Sequence, residues 1–186
     1  MAQFEYEEVN NPKTTGRGHF LTQEGEGLDS LINFYEYDES RCDGFLVDPP
    51  PHNKAYFEDQ IEAAKNYYIN ISKNNIDLFD YHVIDSVYQL NRTIAEYSEM
   101  SSYSQPEEAI ALLYSEALEL ASSDIEFFLD IENLDLDDVL IVVFHAGMGE
   151  DYTFEGYLDP ANYDIRSAYV EDSMLSLVPN SSWMKQ

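Results

Sequence analysis

From Phe4 to Val9 the chain alternates apolar and acidic side chains, Phe4-Glu5-Tyr6-Glu7-Glu8-Val9, the period of a strand with one face buried. A polar, glycine-bearing loop follows Asn10-Asn11-Pro12 and runs through Thr14-Thr15-Gly16-Arg17-Gly18-His19-Phe20. Between Gly25 and Asp48 the signals are mixed, and only a short apolar stretch near Leu31–Tyr35 stands out. Asp48-Pro49-Pro50-Pro51-His52 is rigid and extended, because proline fixes φ and restricts the residue before it.

Asn53 predicts the N-cap of a helix in which Phe57, Ile61, Ala64, Tyr68 and Ile71 share one face. That helix should bury a stripe and end near Ser72-Lys73-Asn74-Asn75. Ile76 to Tyr88, rich in Val, Ile, Tyr and Phe, predicts one or two strands. A short helical turn is expected around Arg92–Met100. Gln105-Pro106-Glu107-Glu108 then opens a helix, with proline and acids where the amide dipoles favour them. It continues through Ile110, Leu113, Ala117 and Leu120 as far as Phe128. Val139–Phe144 is an unbroken apolar run too short for a helix, and predicts a strand buried on both faces.

The order strand, helix, strand, helix, strand predicts a layered α/β domain, a mixed sheet with backing helices, in one unit over residues 1–186. Residues 150–186 carry little periodicity and read as irregular, so the layer looks unfinished after Phe144. An apolar fraction of 44% with 14% aromatics supports a buried core. The 37 acids against 9 Lys plus Arg give a net charge of −28. That excess argues against nucleic acid and anionic membranes, whose phosphates are bound by Lys and Arg, and favours cations or a salty medium. No apolar run is long enough to span a membrane, the first residues carry no export signal, and Cys42 is alone.

His145 ends the most apolar strand, where ligands of open α/β sheets gather. Gly147 and Gly149 let a substrate backbone approach, and Glu150 or Asp151 can orient the imidazole or hold a cation. His145, Gly147, Gly149 and Asp151 are therefore candidates for a substrate cleft; the plainer alternative is a strand-end histidine bonded to a carboxylate. Glu150, Asp151, Asp159, Asn162 and Asp164 are candidate calcium ligands, without the EF-hand spacing. Zinc finds no close ligand pair: His19, His52, His82 and His145 are scattered and no His-Glu-x-x-His occurs. Gly-x-Ser-x-Gly and the phosphate-binding glycine motifs are also missing from the chain.

Four stretches together resemble the front part of bacterial secreted zinc metalloproteases similar to immune inhibitor A. They are Thr14–Phe20, Asp48–Phe57 running into Asn66-Tyr67-Tyr68, Val139–Asp151 and Leu158–Tyr169, within roughly residues 4 to 172. The resemblance implies the N-terminal subdomain of a zincin-type catalytic domain. The zinc-binding helix lies downstream in relatives, so both ends here look cut and no zinc ligand or general base is carried over. It further implies an extracellular or cell-envelope location and a protein or peptide substrate for the full-length enzyme, with zinc bound there and this chain inactive alone; we expect a monomer. Two other readings stay open: a non-catalytic, acidic, calcium-binding interaction domain, and a stand-alone hydrolase using His145 with Asp151.

Overall fold

A computed structural model describes residues 1–8, 14, 17–23, 50–73, 80–103, 106–147, 149 and 164–178. In chain order they form strand β1 (Ala2–Gln3), helix α1 (Lys54–Ile71), strand β2 (Tyr88–Gln89), helices α2 (Ile94–Tyr103) and α3 (Pro106–Glu132), a 3-10 turn (Leu136–Asp138) and a one-turn helix α4 (Asp172–Leu175). Two compact units hold them, Met1–His19 with Ser86–Gln186, and Phe20–Asp85.

In the first unit the N-terminal strand is central. β1 pairs in parallel with β2, Ala2 opposite Tyr88 and Gln3 opposite Gln89. The hydrogen bonds continue past the strand ends: Tyr88 N–H donates to Met1 O, Leu90 N–H to Gln3 O and Glu5 N–H to Arg92 O, at 2.8–2.9 Å. The other edge of β1 takes Phe144–Ala146, through Ala2 N–H to Phe144 O at 2.8 Å and Ala146 N–H to Ala2 O at 3.0 Å. An isolated parallel bridge joins Ala2 to His145. Further along that same edge, Phe4 N–H donates to Gly18 O at 2.7 Å. The strand therefore lies one step earlier than the alternation from Phe4 predicts: Ala2 and Phe4 are buried, Tyr6 is half-exposed, and Val9 lies outside the described residues.

Close approach to β1 depends on Gly18. Its φ is +94°, and a Cβ there would lie 3.0 Å from both the Glu5 carbonyl oxygen and Phe4 Cβ. Gly18→Ala should therefore cost about 1–3 kcal/mol, combining a strained backbone with a displaced loop. Urea unfolding followed by circular dichroism checks this; an unchanged midpoint would mean that the loop does not need the close approach.

Helix α2 starts at a capping box, with Thr93 N–H donating to Glu96 Oε2 at 2.8 Å and Glu96 N–H to Thr93 Oγ1 at 3.3 Å. α2 runs to Tyr103, past the expected end at Met100. Along α3, Ala109, Leu113, Ala117, Ala121 and Ile125 recur every four residues and are buried, so the small side chains form a stripe that neighbours approach closely. Leu120, expected on the same face, is 45% exposed. α3 also runs past Phe128 to Glu132. Asn133 then turns left-handed at φ +53° and Leu134 N–H closes onto Leu129 O at 3.0 Å, the bond of a Schellman cap.

The run Val139–Phe144 is extended, yet it is not buried on both faces. Leu140 is 72% and Val142 58% exposed, while Val139, Ile141, Val143 and Phe144 are half-buried. Tyr114 of α3 covers one side, its hydroxyl donating to Ile141 O at 3.1 Å. Within 150–186, read as irregular, α4 supplies Leu175, and Val178 follows; both pack on Ala111 of α3. One helical turn is too short to leave a periodic signature in the sequence.

In the second unit Asn53 caps α1 as expected, its Oδ1 accepting from Tyr56 N–H at 3.1 Å. The helix ends at Ile71, and Ser72 N–H bonds to Tyr68 O at 3.0 Å. The buried stripe shrinks to Phe57. Tyr68 and Ile71 are 50% and 55% exposed. Of the strands expected within Ile76–Tyr88, β2 is the paired part among the described residues; residues 74–79 lie outside them.

Candidate functional site at the strand ends

The first unit places β2, β1 and Phe144–Ala146 side by side in that order, all parallel. The chain leaves β1 toward β2 and later returns on the opposite edge. This is a topological switch point, and the crevice outside the carboxyl ends of such strands is where α/β sheets bind ligands. Two loops meet β1 along one edge there, the Arg17–His19 turn and the His145–Gly147 turn.

His145 is half-buried, with its ring 5.9 Å from that of Phe4. Nδ1 lies 3.0 Å from Ala146 O, so Nδ1 carries the proton, donates to that carbonyl and leaves Nε2 as the basic nitrogen. The Glu150 and Asp151 carboxylates expected to orient the ring lie outside the described residues, and the partner seen among those described is this backbone carbonyl. Burial pushes the imidazole below its ordinary pKa of 6.5, and the bond to Ala146 O offsets this only in part. Gly147 turns at φ +91° and is exposed, and Gly149 is half-buried. Glu150, Asp151, Asp159 and Asn162 lie outside the described residues. Asp164 is buried at 5% exposure, and no group of three or more His, Cys, Asp or Glu able to hold a metal occurs among the described residues.

The lowered pKa of His145 has a consequence for stability. Between its folded pKa and 6.5 the unfolded chain binds more protons at this position, so stability rises with pH through that window and is complete above it. Acidification from pH 7 to 5 should thus destabilise the native chain more than His145→Gln. Urea midpoints of both proteins across that range test it, and parallel curves would remove His145 as the cause.

The remaining histidines have separate surroundings. In the first unit His19 packs on Tyr6, ring centroids 4.9 Å apart and planes inclined by 50°. In the second, His52 is locked to the chain before it: Leu21 N–H donates to His52 Nδ1 at 3.3 Å and His52 N–H to Leu21 O at 2.7 Å. Its ring lies among Phe20 and Tyr56, and Phe20 in turn packs on Phe57. His82 is exposed.

A second feature at the carboxyl ends of β1 and β2 was not visible in the sequence. A surface cleft of about 430 Å³ is lined by Glu5, Tyr6, His19, Gln89, Leu90 and Asn91. Arg17 braces Tyr6, its Nη1 donating to the phenol oxygen at 3.2 Å with the guanidinium carbon 6.0 Å from the ring centroid. Gln89 forms a fixed wall: Nε2 donates to Phe4 O and to Leu90 O, and Oε1 accepts from Gln3 Nε2 at 2.9 Å. Nearby, Asp124 of α3 accepts from Ser86 Oγ at 3.3 Å and from the Tyr88 hydroxyl, whose pKa is raised to about 12 by burial and by that bond.

Comparison of the chain with protein-family models, curated proteins and solved structures finds no match.

Proposed function

We propose that residues 1–186 are the N-terminal portion of a secreted zinc-dependent metallopeptidase-like domain, a layered mixed sheet with backing helices that lines a peptide-binding cleft. The observation that carries this reading is local. Two of the four stretches resembling the immune inhibitor A group, Thr14–Phe20 and Val139–Asp151, meet the same edge of β1 through Gly18 and through Phe144–Ala146. They so form one rim at the carboxyl end of the parallel strands, where a substrate would lie. Among the described residues no group is suited to hold zinc, and in this reading the metal and the glutamate that activates its water belong to a part of the protein beyond these 186 residues. The role left to this portion is to bind and orient an extended peptide. Gly147 offers an uncovered backbone for it, and His145 Nε2 an acceptor.

The reading implies an extracellular or cell-envelope protein acting on protein or peptide substrates, with residues 1–186 inactive by themselves. Sequencing the source DNA past codon 186 tests it. An open frame that soon encodes His-Glu-x-x-His is the expected result, and a stop codon there would overturn the proposal. Chelator-sensitive peptide cleavage by purified 1–186 would equally overturn it.

A further inference from the structure

We infer that the cleft between the carboxyl ends of β1 and β2 binds an organic cation, the ammonium or guanidinium head of a basic ligand. The inference stands apart from the peptidase reading and does not depend on it. The cleft, about 430 Å³, falls within the ~300–1,000 Å³ usual for small-ligand sites. Its floor is Leu90, 1% exposed, and its fixed wall is Gln89, whose amide is fully engaged with Gln3, Phe4 and Leu90. These parts are pre-organised and need not move when a ligand enters.

The groups left open decide the class of ligand. Tyr6 and His19 present two aromatic rings, and aromatic faces attract cations through the ring quadrupole. Tyr6 already holds one guanidinium in this way, that of Arg17, which does not itself line the cleft. Glu5 supplies a carboxylate that forms no ion pair among the described residues, and the side chain of Asn91 is likewise open for a hydrogen bond. Glu7 and Glu8 follow on the same segment, and the whole chain carries −28. A potential of that sign raises the local concentration of cations and repels phosphates and carboxylates. A guanidinium suits the set, since its flat face stacks on the rings while its edge bonds to Glu5 and Asn91.

The experiment is an NMR titration of the full 186-residue chain with N-acetylarginine methylamide, with putrescine, and with N-acetylglutamine methylamide as the neutral control. We expect saturable shifts centred on Glu5, Tyr6 and Asn91 with a cation and none with the control. Response to the arginine derivative alone would identify a guanidinium side chain as the ligand; a response to putrescine as well would extend it to free amines. Glu5→Gln, an exposed substitution that leaves the fold intact, should weaken binding about two- to fivefold, as expected for one exposed ion pair, and added salt should weaken it further. Shifts that fail to saturate, that the neutral control reproduces, or that Glu5→Gln leaves unchanged would overturn the inference.

Discussion

Replacing Phe4 by Ala is expected to lower stability by about 3–5 kcal/mol, the usual cost of removing a fully enclosed phenylalanine. The size follows from its position. Phe4 is 0% exposed, edge-on to Tyr97 at 5.6 Å and to His145 at 5.9 Å, and directly follows β1. One ring thus joins the central strand, α2 and the His145 turn, and its backbone N–H holds Gly18. Its neighbours are anchored by that ladder and can collapse only partly into the space it leaves. A domain of this size is stable by about 5–15 kcal/mol, so the variant should be marginal at 37 °C. Urea titration at 15 °C reads the loss, and Phe4→Leu should recover more than half of it. Equal losses for Ala and Leu would mean that the ring does not fill the space between strand and helix.

Such a role could not be read from the alternation alone. That pattern marks Phe4 and Tyr6 as equivalent, yet Phe4 is buried against Tyr97 and His145 while Tyr6 lies at the surface, 46% exposed. What sequence does convey is local chemistry. Asn53 and Pro106-Glu107-Glu108 announce helix starts through side chains that meet the first free amides, and both helices begin there. Two further signals of the same kind lie in the sequence, the Thr93-x-x-Glu96 box at the start of α2 and Asn133 as a left-handed terminator after Glu132, past the expected end of α3 at Phe128.

The run Val139–Phe144 shows the opposite limit. Six apolar residues fix an extended conformation but not the number of covered faces, which depends on layers far away in the chain. The candidate site divides in the same way. The position of His145 at a strand end follows from the run before it and the glycines after it, whereas its hydrogen bond to Ala146 O does not. The cleft was illegible altogether, since Gln3 and Gln89 meet across 86 residues through a parallel pairing that no local pattern specifies.

Glu116 is the second residue whose loss should be felt strongly. From α3 its two carboxylate oxygens accept from Arg92, just before α2, and from the hydroxyl of Tyr97 within α2. Tyr97 is 1% exposed, and burial together with this bond raises its pKa well above the ordinary 10.0. Arg92 in turn lies over the Tyr97 ring at 5.7 Å, and its backbone carbonyl holds Glu5 of the central strand. Glu116→Ala would leave a buried hydroxyl and a guanidinium without their acceptor. An orphaned buried group costs about 1–3 kcal/mol, while the salt bridge itself is partly screened, its side chains being 36% and 25% exposed. A total loss of about 2–4 kcal/mol is expected.

Tyr97→Phe removes only the hydroxyl and should cost about 1 kcal/mol, because the carboxylate keeps Arg92. The two changes share one network, so in a double-mutant cycle they should couple by about 1 kcal/mol. Strict additivity would show that Glu116 stabilises the fold through Arg92 alone. The coupling carries a functional consequence as well. Arg92 O fixes Glu5 N–H beside the cleft, so Glu116→Ala should broaden or shift the Glu5 and Asn91 amide resonances under conditions where the chain stays folded, whereas Tyr97→Phe should leave them in place.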